Sequence, residues 1–235
     1  ISFIILHYTA LPNIKDSIKY LCEKKNKVSS HFLISQKGDI FNLVDEGKRA
    51  WHAGQSYWVS KTDLNSMSIG IELDYSPNHS NNKFSNLLLS SLIRLILYLK
   101  KKYKIDKKCI LGHSDIAPYR KIDPGDKFPW KKLIKKELAY HPKKVDLNKI
   151  NKIRKWFKKN KINSKKLQIL FMLNYIGYDT SKALKNNYFY TRLIYNYKSH
   201  YFQKNNANHN KVAYKKSIEL HFANLILTKL KKENN

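Results

Sequence analysis

Cysteine, arginine and acidic residues are all scarce in this chain. The two cysteines, Cys22 and Cys109, lie far apart and outside any Cys-x-x-Cys pairing, which excludes a disulfide framework and a cysteine-based zinc site. Both are expected as buried free thiols. No apolar run approaches the roughly 20 residues that a membrane-spanning helix needs, and no internal repeat is visible. The first residue is Ile1, not Met, which leaves room upstream for a signal peptide or lipid anchor. Acidic side chains number 17 against 46 Lys and Arg, a net charge of +29. Such an excess suggests nucleic acid, anionic membrane or an acidic wall polymer as partner. Arginine, however, occurs only at Arg49, Arg94, Arg120, Arg154 and Arg192, with no Gly-rich arm and no recognisable reading motif. The 41 lysines, set among many Asn and Ile, look like a bias of the whole proteome. A nucleic-acid-binding protein is therefore the last-ranked reading, and no nucleic-acid partner is expected.

What the chain does have is enough apolar surface for a core: 42% hydrophobic residues, 13% aromatic and 16 tyrosines, so wholesale disorder is excluded. Ile1 to His7 reads as a short buried strand, residues 13–25 as an amphipathic helix, and 31–35 with 40–44 as a hairpin turning at Gly38. Ser68 to Leu73 is another strand, 84–103 a long helix, and Cys109 to His113 a strand running into a Pro- and Gly-bearing loop over 115–129. This order predicts an α/β (α+β) domain, a mostly mixed central sheet flanked by helices. After Tyr140-His141-Pro142 the pattern is almost entirely helical, with a stop at Gly177. The expected division is thus a catalytic domain over 1–143 and a small all-helical domain over 144–235, the Asn/Lys run 204–211 being a solvated loop. Residues 151–235 carry 19 basic and three acidic side chains, so the helical part is the denser in charge.

Polar residues at strand ends face the rim of a sheet, where ligands bind. His7 and His113 end two strands, and Asp123 follows ten residues later in a loop that Pro118, Pro124 and Gly125 keep from being helical. Two imidazoles and a carboxylate suit zinc, and three protein ligands leave the fourth tetrahedral position open for water, as a hydrolase requires. On spacing alone, structural or surface histidines remain the alternative. Glu72 sits between Ile71 and Leu73 on a strand expected to be central, where a carboxylate is costly to bury without a partner; an edge-strand residue facing water is the competing reading.

The string Gly112-His113-Ser114-Asp115-Ile116-Ala117-Pro118-Tyr119-Arg120-Lys121-Ile122-Asp123-Pro124-Gly125, continuing to Trp130, closely resembles the signature loop of the zinc-dependent N-acetylmuramoyl-L-alanine amidases of the AmpD/AmiD type. His7-Tyr8-Thr9-Ala10, Val28-Ser29-Ser30-His31-Phe32, Ala50-Trp51-His52-Ala53-Gly54 and Ile69-Gly70-Ile71-Glu72 are similar to further blocks of that family, in the same order, over roughly residues 1–140. The resemblance implies that His7, His113 and Asp123 hold one Zn²⁺ per chain, that Glu72 is the acidic catalytic residue and that Lys121 is its basic counterpart. His31 then stands as a group behind the metal or a core histidine, and Trp51 and His52 as residues lining a groove or packing beneath it. His79, His141, His200, His209 and His221 lie outside these blocks and are expected at the surface. Tyr119 and Asp126 depart from the commonest family string, which bears on the loop's shape and not on the ligands.

More loosely, Leu167 to Tyr178 and Tyr188 to Gln203 resemble the helical peptidoglycan-binding module of AmiD-like enzymes. A bundle packed on the catalytic domain without a ligand of its own is the alternative. The resemblance implies hydrolysis of the bond between N-acetylmuramic acid, or its 1,6-anhydro form, and L-alanine of the stem peptide, in cell-wall turnover or recycling. Peptidoglycan or muropeptides are the implied partners. The two-domain layout points to the bacterial envelope, periplasmic or lipid-anchored, with the cytoplasm as alternative. A non-catalytic peptidoglycan-recognition module of the same fold is the runner-up, but such proteins typically lack part of the metal set, and all three ligands are present here.

Overall fold

The computed structural model describes residues 1–78, 83–202 and 211–233. Its elements are β1 (Phe3–Tyr8), α1 (Ile14–Cys22), β2 (Phe32–Ile34), β3 (Ile40–Asn42), β4 (Ser68–Leu73), α2 (Asn86–Tyr103), β5 (Ile110–Gly112), α3 (His113–Ile116), α4 (Trp130–Lys135), α5 (Leu147–Lys159), α6 (Lys165–Ile176), α7 (Ser181–Lys185), α8 (Asn187–Tyr201) and α9 (Lys211–Glu233). The strands form one mixed sheet in the order β3-β2-β4-β1-β5. Only the β2–β3 hairpin is antiparallel, so the architecture is mixed α/β with helices on the sheet. No helix among the described residues is long and apolar enough to cross a membrane. The run 204–211 begins outside the described residues, as do His79 and His209.

β4 is buried at all six positions, as a central parallel strand with no wet face is, and along it the apolar Ile69, Ile71 and Leu73 alternate with Ser68, Gly70 and Glu72. Alternation along the strands sorts the side chains onto two faces. Ile4 and Leu6 of β1 and Ile69, Ile71 and Leu73 of β4 pack with α2, where Leu88, Leu92, Leu95 and Leu99 make the apolar stripe. Ser85 caps that helix by accepting the Leu88 N–H. Phe3 and Ile5 of β1 point the other way, into a second cluster completed by Phe157, Leu173, Tyr197 and Ile218 of α5, α6, α8 and α9. The helical segment thus shares an apolar core with the sheet, on the face where β1 and β4 carry their polar residues.

Three local expectations are corrected. Cys22 is exposed, although both cysteines are free thiols: it ends α1 on the side away from Leu21, the buried residue of that turn. The loop after β5 opens with one helical turn, α3, because the Asp115 carboxylate accepts the Gly112 N–H and closes a cap before Pro118 stops the helix. His200 and His221 are buried, 2% and 3% exposed, because α8 and α9 turn them toward the sheet-bearing half of the chain and not toward water.

Candidate metal centre

His7 and Glu72 are register partners on the adjacent parallel strands β1 and β4, so their side chains leave the same face of the sheet. His113 begins α3 immediately after β5, on the far side of β1. Asp123 returns to it because Gly112 lacks a side chain: a Cβ there would lie 2.6 Å from Pro124 Cδ. The Ser114 N–H donates to the Asp123 carbonyl at 2.9 Å and ties the two ends of the loop together. The result is a buried triangle of His7 Nδ1, His113 Nδ1 and Asp123 Oδ2 with sides of 2.9, 3.0 and 3.1 Å.

The partners behind each ring fix which atoms of the triangle carry protons. The Ser68 hydroxyl donates to the Leu64 carbonyl, so its oxygen accepts from His52 Nε2 at 3.3 Å. His52 Nδ1 is then a lone pair, and it accepts the His7 Nε2–H at 3.0 Å. His113 Nε2 faces the Ala53 carbonyl at 3.1 Å, which can only accept, and Arg120 Nη2, 3.3 Å from the same nitrogen, spends its two protons on the Ala53 and Gln55 carbonyls. Both Nδ1 atoms in the triangle are therefore lone pairs, beside a carboxylate oxygen. Three acceptors at these distances with no proton between them fit a cation. A tetrahedral site with bonds of ~2.0–2.1 Å has ligand–ligand edges near 3.3 Å, close to what the chain presents; among the described residues this is also the one group of His, Cys, Asp or Glu clustered tightly enough to hold a metal.

Electrostatics agree. Burial, reinforced by the neighbouring His113, pulls the His7 imidazole down to about 4, so it is neutral at physiological pH. Burial alone would raise the Asp123 carboxyl; without a metal, charge and hydrogen bonds from the two imidazoles outweigh burial and hold it well below the ordinary carboxylate range, and with both Nδ1 atoms as lone pairs a cation in the triangle would have to supply that stabilisation instead. Glu72 behaves oppositely: burial pushes it up to about 8, with the nearby Asp123 adding to the effect and Lys121 opposing it. Its Oε2 is buried without a hydrogen-bond partner. A carboxyl poised near neutrality with a free oxygen can take up and give back a proton.

The remaining sequence candidates separate. His52 lies directly behind His7. His31 is wholly buried, and both of its nitrogens serve backbone groups: Nδ1 accepts the Gly70 N–H at 3.0 Å and Nε2 donates to the Lys48 carbonyl at 3.0 Å. Trp51 is 58% exposed, flanked by Arg49 over its ring, and borders a cavity of about 530 Å³ with Leu21, Cys22, Leu43 and Val44. Sequence reasoning missed Ser68, which sets the tautomer of His52, and Arg120, which donates to the Ala53 and Gln55 carbonyls beside His113. It also missed Asp115, Tyr178, Asn196 and His200, a buried polar group between α3 and the helical segment. Asp115 stood inside the signature string, but nothing in the string signals partners 63 and 85 residues away.

Comparison with known proteins agrees with this geometry. A family model described as N-acetylmuramoyl-L-alanine amidase matches residues 1–126. The N-acetylmuramoyl-L-alanine amidase AmiD of Escherichia coli K12 is 35% identical over 161 residues, 60% of this chain and 55% of that protein, so the match spans about half of that relative's length. The 1,6-anhydro-N-acetylmuramyl-L-alanine amidase AmpD of Haemophilus influenzae is 35% identical over 152 residues, 57% of this chain and 81% of that one. The solved complex of E. coli AmiD with anhydro-N-acetylmuramic acid-L-Ala-D-gamma-Glu-L-Lys superposes with a TM-score of 0.77 at 27% identity, covering 97% of this chain and 89% of that one. With five sequence blocks, fold and centre in agreement, the chain belongs to the N-acetylmuramoyl-L-alanine amidase family.

Proposed function

We propose that this chain is a zinc amidase that hydrolyses the amide between the lactyl group of N-acetylmuramic acid, or its 1,6-anhydro form, and L-alanine of the stem peptide. The observation that carries the reading is the buried triangle of His7, His113 and Asp123 ligand atoms beside Glu72, a buried carboxyl with one unpartnered oxygen. The anhydromuramyl peptide held by E. coli AmiD supports the substrate class.

In this reading His7 Nδ1, His113 Nδ1 and Asp123 Oδ2 hold zinc. The bound ion supplies a Lewis acid and lowers the pKa of water from 15.7 toward ~7. His52 keeps the His7 lone pair directed at the site, and the Ala53 carbonyl does the same for His113. Glu72 accepts the proton of the attacking water on its free oxygen and passes it to the leaving amine of L-alanine, a role worth about 10²–10⁴ in rate. Lys121 directs its ammonium at the oxygen of the scissile amide as the carbon becomes tetrahedral. Trp51, beside its cavity, offers an aromatic face to sugar or peptide. Residues 1–143 do the chemistry, and the basic segment 144–235 holds the enzyme near an acidic wall polymer in the envelope.

Incubation with purified muropeptides followed by mass spectrometry tests this. Free stem peptide is expected, its release stopped by chelation and by Glu72→Ala. Absence of released peptide, or release insensitive to both treatments, rules the reading out.

A further inference from the structure

The loop that carries His113, Lys121 and Asp123 is held from outside the sheet. Asp115, wholly buried, uses both carboxylate oxygens: Oδ2 accepts the Gly112 N–H at 2.7 Å and His200 Nδ1 at 2.7 Å, and Oδ1 accepts the Tyr178 hydroxyl at 2.5 Å. The His200 ring is stacked between Trp130, 3.6 Å away, and Tyr201, 3.9 Å away, so its donor cannot swing aside. Asn196, also wholly buried, spends both amide protons on the same loop, donating to the Pro118 carbonyl at 2.8 Å and the Lys121 carbonyl at 3.0 Å. Tyr119, one of the two residues that depart from the family string, donates to the Asp179 carbonyl at 2.7 Å and accepts the Ala183 N–H at 3.2 Å. Every one of these partners from Tyr178 to His200 belongs to the helical segment.

We propose that the helical segment is a working part of the catalytic centre, with Tyr178, His200 and Asn196 as positioning residues that hold the 112–123 loop in its ligating shape. Asp115 is two residues from His113, and its bond to Gly112 N–H fixes the Leu111–Gly112 peptide, one peptide before the one that enters His113. Tyr178 and His200 fix Asp115 in turn, while Asn196 fixes the backbone at Lys121. A segment that only anchored the enzyme to its polymer would need apolar contact with the catalytic half, but not three buried polar side chains aimed at one loop, each of which costs desolvation unless paired.

The inference rests on the zinc reading above, and the experiment separates the two. In the full chain, Tyr178→Phe, His200→Leu and Asn196→Ala are compared with His200→Asn, which keeps a donor near the position of Nδ1. Zinc affinity is read by chelator competition, hydrogen exchange of 112–123 in zinc-free protein, and kcat and KM on a small soluble muropeptide that needs no wall attachment. The expected result is about tenfold weaker zinc binding, the lower end of what outer partners of metal ligands cost, in His200→Leu, with partial recovery in His200→Asn. Exchange should quicken over 112–123 and not over β1 and β4, and kcat should fall while KM holds. Variants that are merely less stable, with zinc affinity and loop exchange at the wild-type level, overturn the proposal. A wild-type protein that binds zinc but releases no peptide sinks the proposed function and leaves the exchange result standing.

Discussion

His7 Nε2 lies 3.0 Å from His52 Nδ1, and that one bond decides which nitrogen of His7 is left to face the metal centre. The chain of donors runs from His7 through His52 and Ser68 to the Leu64 carbonyl, so the tautomer is set three residues away from the site.

Replacing the acceptor tests it. His52→Phe keeps a ring of similar size but lets His7 carry its proton on Nδ1. Zinc affinity by chelator competition should fall by about 10–100-fold, and Ser68→Ala, which leaves His52 in place, should cost less. Unchanged affinity in His52→Phe would falsify the relay.

Glu72 makes a prediction about stability as well as rate. Burial raises its pKa from 4.5 to about 8 in the folded protein, so between those values the folded state holds a proton that the unfolded chain has released. Stability of the zinc-free protein must then fall as pH rises through that window. Glu72→Gln has no charge to bury and should be more stable than wild type at pH 8 by on the order of 4 kcal/mol, the gap closing toward pH 5. The same variant should lose about 10²–10⁴ in kcat. Denaturant midpoints at the two pH values check the first part; an equal gap at both would contradict it.

Lys121 should act on the transition state alone. Lys121→Ala is expected to lower kcat by about 10²–10³, the usual cost of losing one donor to a developing oxyanion, with little change in KM. Lys121→Arg should recover part of this, since the charge is kept but its shape is not. Steady-state kinetics on a soluble muropeptide distinguishes this from a role in binding, which would move KM.

Leu173, wholly buried in the cluster that joins α5, α6, α8 and α9 to Phe3, Ile5 and Leu111, should be as important to the sheet as to its own helix. Leu173→Ala is expected to cost about 2–5 kcal/mol and to lower the melting temperature of one shared transition. Calorimetry showing an early transition of the helical segment alone would speak against a common core.

The sequence displayed most clearly what depends on local chemistry. β4 was legible to the residue because Ile69, Ile71 and Leu73 alternate with Ser68, Gly70 and Glu72 at the period of a strand, and α6 ended at Gly177 as expected because its φ of +139° suits glycine. His7, His113 and Asp123 were legible as a set only through the blocks in which they stand, since no periodicity links residues 116 positions apart. What could not be read was the inward face of α8. Asn196, Ser199 and His200 are polar and buried, and a rule that sends polar residues to water puts them on the wrong side. Asn196 and His200 are buried because the surface they meet is a loop of backbone carbonyls and a carboxylate, while Ser199 turns its hydroxyl back onto the Tyr195 carbonyl of its own helix; nothing in α8 itself announces the loop. Cys22 failed for the opposite reason: it sits beside the buried Leu21, and a single residue of helical rotation carries it out to solvent.

The burial of β4 on both faces has one more consequence. Where one face of a strand is wet, sliding it by a residue would put apolar groups in water, so hydrophobicity keys its alignment. β4 has no such key. Gly70 provides another: its N–H is taken by His31 Nδ1, its carbonyl receives the His31 N–H and the Ser30 hydroxyl, and the space above it, where a Cβ would come within 2.4 Å of His52, is filled by that ring. A slip of one position would empty this lock and turn Glu72 away from the centre, presenting Ile71 or Leu73 in its place. The smallest residue in the strand thus keeps the proposed acid–base residue turned toward the centre.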